Sequence, residues 1–324
     1  MPFESRRRTS LVLLVSVNVL HASIALAQAN YQPFPLGERA VGLGGAFTGL
    51  ADDESGSFYN PAGPAFAKGD SLSLTANFYG IVMGTFTGGF GGSGDFSYGT
   101  INLVPATSSS LFHIGPASDD ELSPWVLCIN VYAPGNFNLD NRQTIVQGPK
   151  SFTMRRTQRD RQLFAGPTIA RRMGARWSLG VSLFGSIHLS ELEGSNVLGS
   201  TDPPIVTEVT YAESSTNVGL MGSAGIRFLP TDHISLGFSV RSPVVHLYSE
   251  GTRYLLDVNM APPATAEFKQ TTSRHRTRFE LPTKFSLGIG WVKARSWGWS
   301  ADFNVHLPHE FSPSKNEISL GDFC

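Results

Sequence analysis

The densest set of residues that could do chemistry is Gly42-Leu43-Gly44-Gly45, followed by Asp52-Asp53-Glu54. A glycine-rich turn ahead of acidic residues is the layout of a phosphate loop, in which backbone N–H groups cradle the anion. Here no Lys-Ser/Thr pair follows the glycines and no strand precedes them, so the dinucleotide and Walker readings fail. The acidic triplet lacks the Asp-x-Asp-x-Asp-Gly spacing of a calcium loop and reads as a solvated turn or helix cap. Eight histidines are scattered without partner spacing, and no Gly-x-Ser-x-Gly occurs, so no nucleophile–base–acid set is recognisable. Cys128 and Cys324 make neither a metal site nor a disulfide framework, and their pairing stays open. The expectation is a protein without enzymatic activity, metal or cofactor.

Two basic clusters stand out. Arg274, Arg276, Arg278 and Glu280 share one parity, and Arg155, Arg156, Arg159 and Arg161 form the second. Either cluster is a solvated extracellular loop or a ladder inside a lumen, pairing with carboxylates or attracting an anionic head group. An arginine facing lipid at the bilayer midplane costs about 2–4 kcal/mol. Arg276 and Arg278 are therefore expected not to face lipid.

The elements that must position these residues follow from a period of two. Leu72, Leu74, Ala76 and Phe78 alternate with Ser71, Ser73, Thr75 and Asn77. From Trp177, the residues Leu179, Val181, Leu183 and Ile187 oppose Ser178, Gly180, Ser182, Ser186 and His188. The same pattern recurs over 217–228, 233–241, 284–291 and 297–306, with no competing 3.6-residue period. These segments exceed the ~5–6 residues of a mean soluble strand. Composition agrees: only 16% of residues are charged, 34 are glycine, and the net charge is −1. That excludes a charge-rich disordered chain and gives nucleic acid no electrostatic foothold.

A secreted β-sandwich alternates too, because one face of each sheet meets water. The membrane reading is favoured by strand length and by a polar face of Gly, Ser and Asn. It is also favoured by Trp177, Trp291, Trp297 and Trp299 near strand ends, where aromatic girdles lie. Residues 292–296 form a short polar turn suited to a periplasmic hairpin. Residues 84–94, 116–124 and 194–204, and the stretch from Pro262-Pro263, read as longer loops. At the start, Arg6-Arg7-Arg8, the apolar run 11–20 and Ala25-Leu26-Ala27 have the three-part layout of a signal peptide cleaved after Ala27.

Between the leader and the first strand lies Arg39-Ala40-x-Gly42-x-Gly44-Gly45-Ala46, then Ala51-Asp52-Asp53, then Tyr59-Asn60-Pro61-Ala62-Gly63. This order resembles the start of the FadL/TodX outer-membrane transporters. Leu281-Pro282-x-Lys284-Phe285-Ser286-Leu287-Gly288 with Ser300-Ala301-Asp302 is similar to that family's late hairpin. The resemblance implies an all-β fold, a 14-stranded transmembrane antiparallel barrel with an N-terminal plug segment. Leader and long alternating strands together place the expected protein in the outer membrane of a Gram-negative-type bacterium, and a monomeric barrel in contact with the lipid bilayer is expected. The resemblance also implies passive uptake of long-chain fatty acids or other hydrophobic small molecules. Branches with the same opening serve secretion, so a structural or secretion-associated barrel is the alternative. The polar end of the chain departs from the family's closing aromatic strand. The organisation expected is a signal peptide at 1–27, a plug at 28–67, and a barrel at 68–324 that lacks its last strands.

The plug is also argued from composition. Residues 28–67 lack alternation yet hold Phe34, Leu36, Val41, Leu43, Phe47, Leu50, Phe58 and Tyr59, which need burial. Gly42, Gly44 and Gly45 permit tight turns and close packing. Pro61 restricts Asn60 to extended geometry, so Asn60-Pro61-Ala62 is expected as the pivot at the exit into the first strand.

Overall fold

The computed structural model describes residues 35–89, 94–115, 125–202, 204–260, 267–276, 279, 281–293 and 297–307. The leader, the expected loops at 116–124 and Pro262-Pro263, and Arg278, Glu280 and Cys324 lie outside the described residues. Eleven strands form one antiparallel sheet: β1 (Ser71–Gly89), β2 (Gly94–Ile114), β3 (Trp125–Gln147), β4 (Lys150–Met173), β5 (Trp177–Thr201) and β6 (Pro204–Phe228), then β7 (Ile234–Arg241), β8 (Val245–Met260), β9 (Glu267–His275), β10 (Lys284–Lys293) and β11 (Trp297–His306). No helix among the described residues is long and apolar enough to cross a membrane.

The sheet runs β1-β2-β3-β4-β5-β6-β7-β10-β11, with β8 on β6 and β9 on β8. β7 pairs with the lower part of β6 and β8 with its upper part, so Ser242-Pro243-Val244 interrupts what is otherwise one strand. β10 and β9 repeat this on the next strand over, pairing with β7 and β8 respectively. Two neighbouring strands therefore leave the ladder at the same height. β2 and β3 also part above the level where Ala106 pairs with Ala133.

The faces are inverted relative to a water-soluble sheet. On β5, Leu179, Val181, Leu183, Ile187 and Leu189 are exposed, while Ser178, Gly180, Ser182, Ser186 and His188 are buried. β7 and β10 repeat it: Leu236, Phe238, Leu287 and Ile289 are exposed, and Ser235, Ser239 and Ser286 are buried. Water would drive these leucines inward, so the outer face is built for hydrocarbon and the sandwich reading falls. The apolar face of β5 runs from Trp177 to Leu189 before Glu191 and Glu193. Twelve steps of ~3.3 Å give about 40 Å along the strand. At the ~35–45° tilt of membrane barrels that is about 30 Å of height, one hydrocarbon core. Along its lower margin Trp125, Trp177, Trp297 and Trp299 are exposed, and Trp177 stacks on Phe228.

Above this belt the strands continue, which corrects two expected loops. Residues 84–89 complete β1, and 194–201 complete β5, where they pair with both β4 and β6. Gly and Ser there supply no apolar face, but ladder bonds use only the backbone, so composition alone misplaces the strand end.

Candidate functional site

Residues 35–67 contain no strand. They form α1 (Glu38–Gly42), α2 (Gly56–Tyr59) and a single 3-10 turn at Gly63–Phe66. After α1 the chain reverses through Gly44 and Gly45, with φ of 62° and 87°, bringing the Gly45 N–H to Ala40 O at 2.7 Å. That region of φ is open to glycine at little cost. Gly42 ends α1 with open space where a Cβ would stand, so packing does not demand glycine there. Arg39 pairs with Asp52, which lies 3.9 Å from the buried Arg227 of β6. Burial pushes the neighbouring Asp53 carboxyl above its ordinary range, opposed by its hydrogen bond from Ser55 and by Arg39.

The apolar residues of this segment make the molecule's main core. Leu36, Phe47, Leu50, Phe58 and Tyr59 are buried with Tyr132, Phe164, Phe184 and Met221 from the inner face of β3 to β6. The Phe58 ring meets Tyr59, Tyr132 and Phe164 at centroid distances of 5.6, 5.3 and 6.2 Å. Val41, in contrast, is exposed, and Phe34 lies outside the described residues.

The polar inner face of the sheet holds the same segment by its backbone. Ser178 donates to Ala62 O at 2.7 Å, Ser235 to Gly49 O at 2.5 Å, and Ser239 to Tyr59 O at 2.7 Å. Ser300 donates to Ala46 O, and Arg241 to Phe58 O. One carboxylate oxygen of Asp302 accepts the Phe47 and Thr48 N–H groups, each at 2.9 Å. On the other side, Glu54 accepts from Ser71 of β1 at 3.0 Å and its carbonyl from Tyr132 of β3 at 3.3 Å. A segment this small reaches both β1 and β11 because the sheet is curled around it.

Asn60-Pro61-Ala62 sits at the centre of that interface. Asn60 is extended, with φ −149° and ψ 105°, as the following proline ring requires. Its fully buried amide donates to Thr48 O and to Ile226 O of β6, both at 3.1 Å, and accepts from the Ala62 N–H at 3.1 Å. The motif approaches the wall so closely that a Cβ on Gly180 would overlap the Pro61 carbonyl, and one on Gly225 the Asn60 amide. Gly180 and Gly225 pair across β5 and β6. Asn60–Ala62 is thus the docking point on β5–β7. The exit into β1 comes later, after the 3-10 turn, because the chain must first clear the inner face before joining the sheet edge.

Above the docked segment the inner face carries a second set of polar groups. His188 Nε2 is 2.6 Å from Asp160 Oδ1, and its ring stacks on Phe279 at 3.8 Å. His246 Nε2 meets Phe279 O at 2.7 Å. Higher still, Glu213 holds Arg253 at 3.0 Å and His275 at 3.2 Å. The expected ladder of Arg274, Arg276, Arg278 and Glu280 is seen only in part. Arg274 is exposed in β9 opposite Thr252, a level above the apolar belt, and Arg276 is exposed just below it. Arg227, Arg241 and Asp302 lie on the polar parity that the alternation gives them, with Ser223, Ser239 and Ser300, but nothing in the residue order marks them as the groups that meet the docked segment. No group of three or more His, Cys, Asp or Glu among the described residues could hold a metal.

No protein-family model and no curated protein sequence matches the chain. Two crystal structures of the Pseudomonas putida toluene transporter TodX match with TM-scores of 0.58 and 0.59, at 13% and 14% identity. They cover 86% and 84% of this chain and 77% and 71% of theirs. The CymD monoaromatic hydrocarbon channel aligns over 83% of the chain at 11% identity, with a TM-score of 0.32, too low to establish a common fold. The all-β fold expected from the FadL/TodX resemblance is the fold found: this chain is folded as the toluene transporter TodX is.

Proposed function

We propose that the protein is an outer-membrane channel for passive uptake of hydrophobic small molecules, gated by residues 28–67. One observation carries the reading: an inside-out sheet whose polar inner face is occupied by a separate, mostly helical and coil segment bound through its backbone. Such a segment can leave without breaking any strand ladder, so opening costs only the interface. TodX, with the same fold, transports toluene, which sets the class of cargo as apolar and uncharged or nearly so; long-chain fatty acids belong to it through their tails. The route runs from the outside, past the Asp160–His188–Phe279 level, to the space vacated by residues 35–67. It leaves below or sideways through a break in the wall. No cofactor and no covalent step is involved.

Deleting residues 28–67 tests this. The expected result is a folded barrel with raised permeability to small hydrophilic solutes and no saturable uptake of toluene or oleate. A deletion that folds and takes up both as the full chain does would refute the plug, and one that neither leaks nor ever supported uptake favours a structural barrel.

A further inference from the structure

The outward face of β3 and β4 carries an arrangement that channel function does not use. On β4, Phe164, Thr168 and Ala170 face inward and are buried, so odd-numbered residues face outward. Counting up from the apolar Ile169, Pro167, Ala165 and Leu163, the outer row continues as Arg161, Arg159, Thr157 and Arg155. Across the ladder Asn138 pairs with Arg159, Asp140 with Thr157, and Arg142 with Arg155. Four arginines, all exposed, thus stand on one outer surface directly above the belt, while Arg156 turns inward to Gln158.

The counter-charges do not balance this row locally. Glu191 on β5 takes Arg159 at 3.5 Å, and Asp140 accepts from the Thr157 hydroxyl at 3.2 Å. Glu193 pairs across with Thr157. Among the described residues Arg142, Arg155 and Arg161 have no carboxylate at ion-pair distance. Arg142 and Arg155 are direct cross-strand neighbours of like charge, an arrangement that repels unless an anion lies between them. Height fixes which anion that is. Arg161 pairs across with Leu189, the last apolar outward residue of β5, and so stands at the hydrocarbon edge, while Arg155 lies six residues further up, about 15 Å above it from ~3.3 Å per residue and the usual tilt. Guanidinium groups bind phosphate bidentately, and the two tiers match phosphates carried at two depths by sugars on a lipid anchor.

Resting on the membrane-spanning reading above, we propose that Arg142, Arg155, Arg159 and Arg161 form a docking surface for a phosphorylated glycolipid of the outer leaflet. The test uses the full chain purified in neutral detergent and, as probe, lipopolysaccharide with and without its phosphates. The wild type should bind the phosphorylated form, more weakly as salt rises. The dephosphorylated form should bind far less. Replacing each arginine by glutamine should weaken binding about fivefold per position, with Arg156→Gln, on the inner face, unchanged. Equal binding of both forms, or a quadruple variant that binds as the wild type does, overturns the proposal. Insertion into phosphatidylcholine vesicles, followed by heat-modifiable migration, is measured in parallel: variants that insert normally but lose glycolipid condemn neither reading, whereas a wild type that fails to insert removes the membrane reading on which the surface depends.

Discussion

The lower and upper halves of β5 share a backbone, a register and a period, yet they live in different surroundings. From Ser178 to His188 every second residue is buried, the lower ones beneath residues 35–67 and His188 beneath Phe279, and the outward neighbours are bare leucine, isoleucine and valine. From Ser190 to Thr201 the inward parity is half-buried or exposed apart from Gly194, which lies under Tyr211, and the outward parity opens with Glu191 and Glu193. Most of the burial on the inner side comes from the docked segment, and the inner face of β5 is largely open above the level of His188.

Substitutions at the two levels should therefore differ sharply. The largest effect is expected from Gly225→Val, whose side chain would occupy the space of the Asn60 amide and the Pro61 ring. The segment should be expelled from a barrel that still folds, seen as a rise in basal conductance in planar bilayers. Ser200→Val, at the upper level, should leave conductance unchanged; equal effects at both sites would erase the distinction. Next comes Asn60→Ala, which strands two carbonyls and one N–H at a dry interface. About 2–3 kcal/mol should be lost from docking, read as faster hydrogen exchange at residues 47–62 with strand amides unaffected.

Asp302→Asn keeps an acceptor but removes the charge from two N–H bonds, and should cost about 1 kcal/mol in the same measurement. In the upper half, Glu213→Gln weakens the contacts to Arg253 and His275, which are part-exposed, so about 0.5 kcal/mol or less is expected in thermal unfolding. The smallest effect concerns Asp70, ahead of β1. Hydrogen bonds from the His113 ring and backbone hold its carboxyl below its ordinary value of 3.8. A depressed carboxyl contributes above its unfolded pKa and loses that contribution as pH falls through the folded one. Asp70→Asn should accordingly lower stability slightly at neutral pH and converge with the wild type below about pH 3.

Much of this was legible from residue order. Alternation at Trp177–His188 located the strands, and leucine on one parity against serine on the other defined two faces. The motif around Asn60-Pro61-Ala62 marked the segment that does not alternate. Three things were not legible. The membrane reading puts the Gly, Ser and Asn parity inward, as found, but the alternation does not show what covers Ser178 or Ser239, because that burial depends on contacts with residues far away in sequence. Gly194–Thr201 carries no apolar face, so its strand character resides only in backbone pairing with β4 and β6. Asp302 and Arg241 look like surface charges in isolation; their importance arises from carbonyl and N–H groups about 180 and 250 positions earlier in the chain.

The central claim is that residues 35–67 must move for cargo to pass, and a reversible lock tests it. The Ser57 hydroxyl in α2 lies beside the buried thiol of Cys128 on β3. Ser57→Cys therefore places a thiol from the segment against one from the wall. Uptake of toluene into liposomes carrying this variant would be measured after oxidation, with bond formation verified by thiol titration, and again after reduction. The account predicts loss of uptake when the bond is closed and recovery when it is reduced. Full uptake through the oxidised, verified cross-link would contradict it.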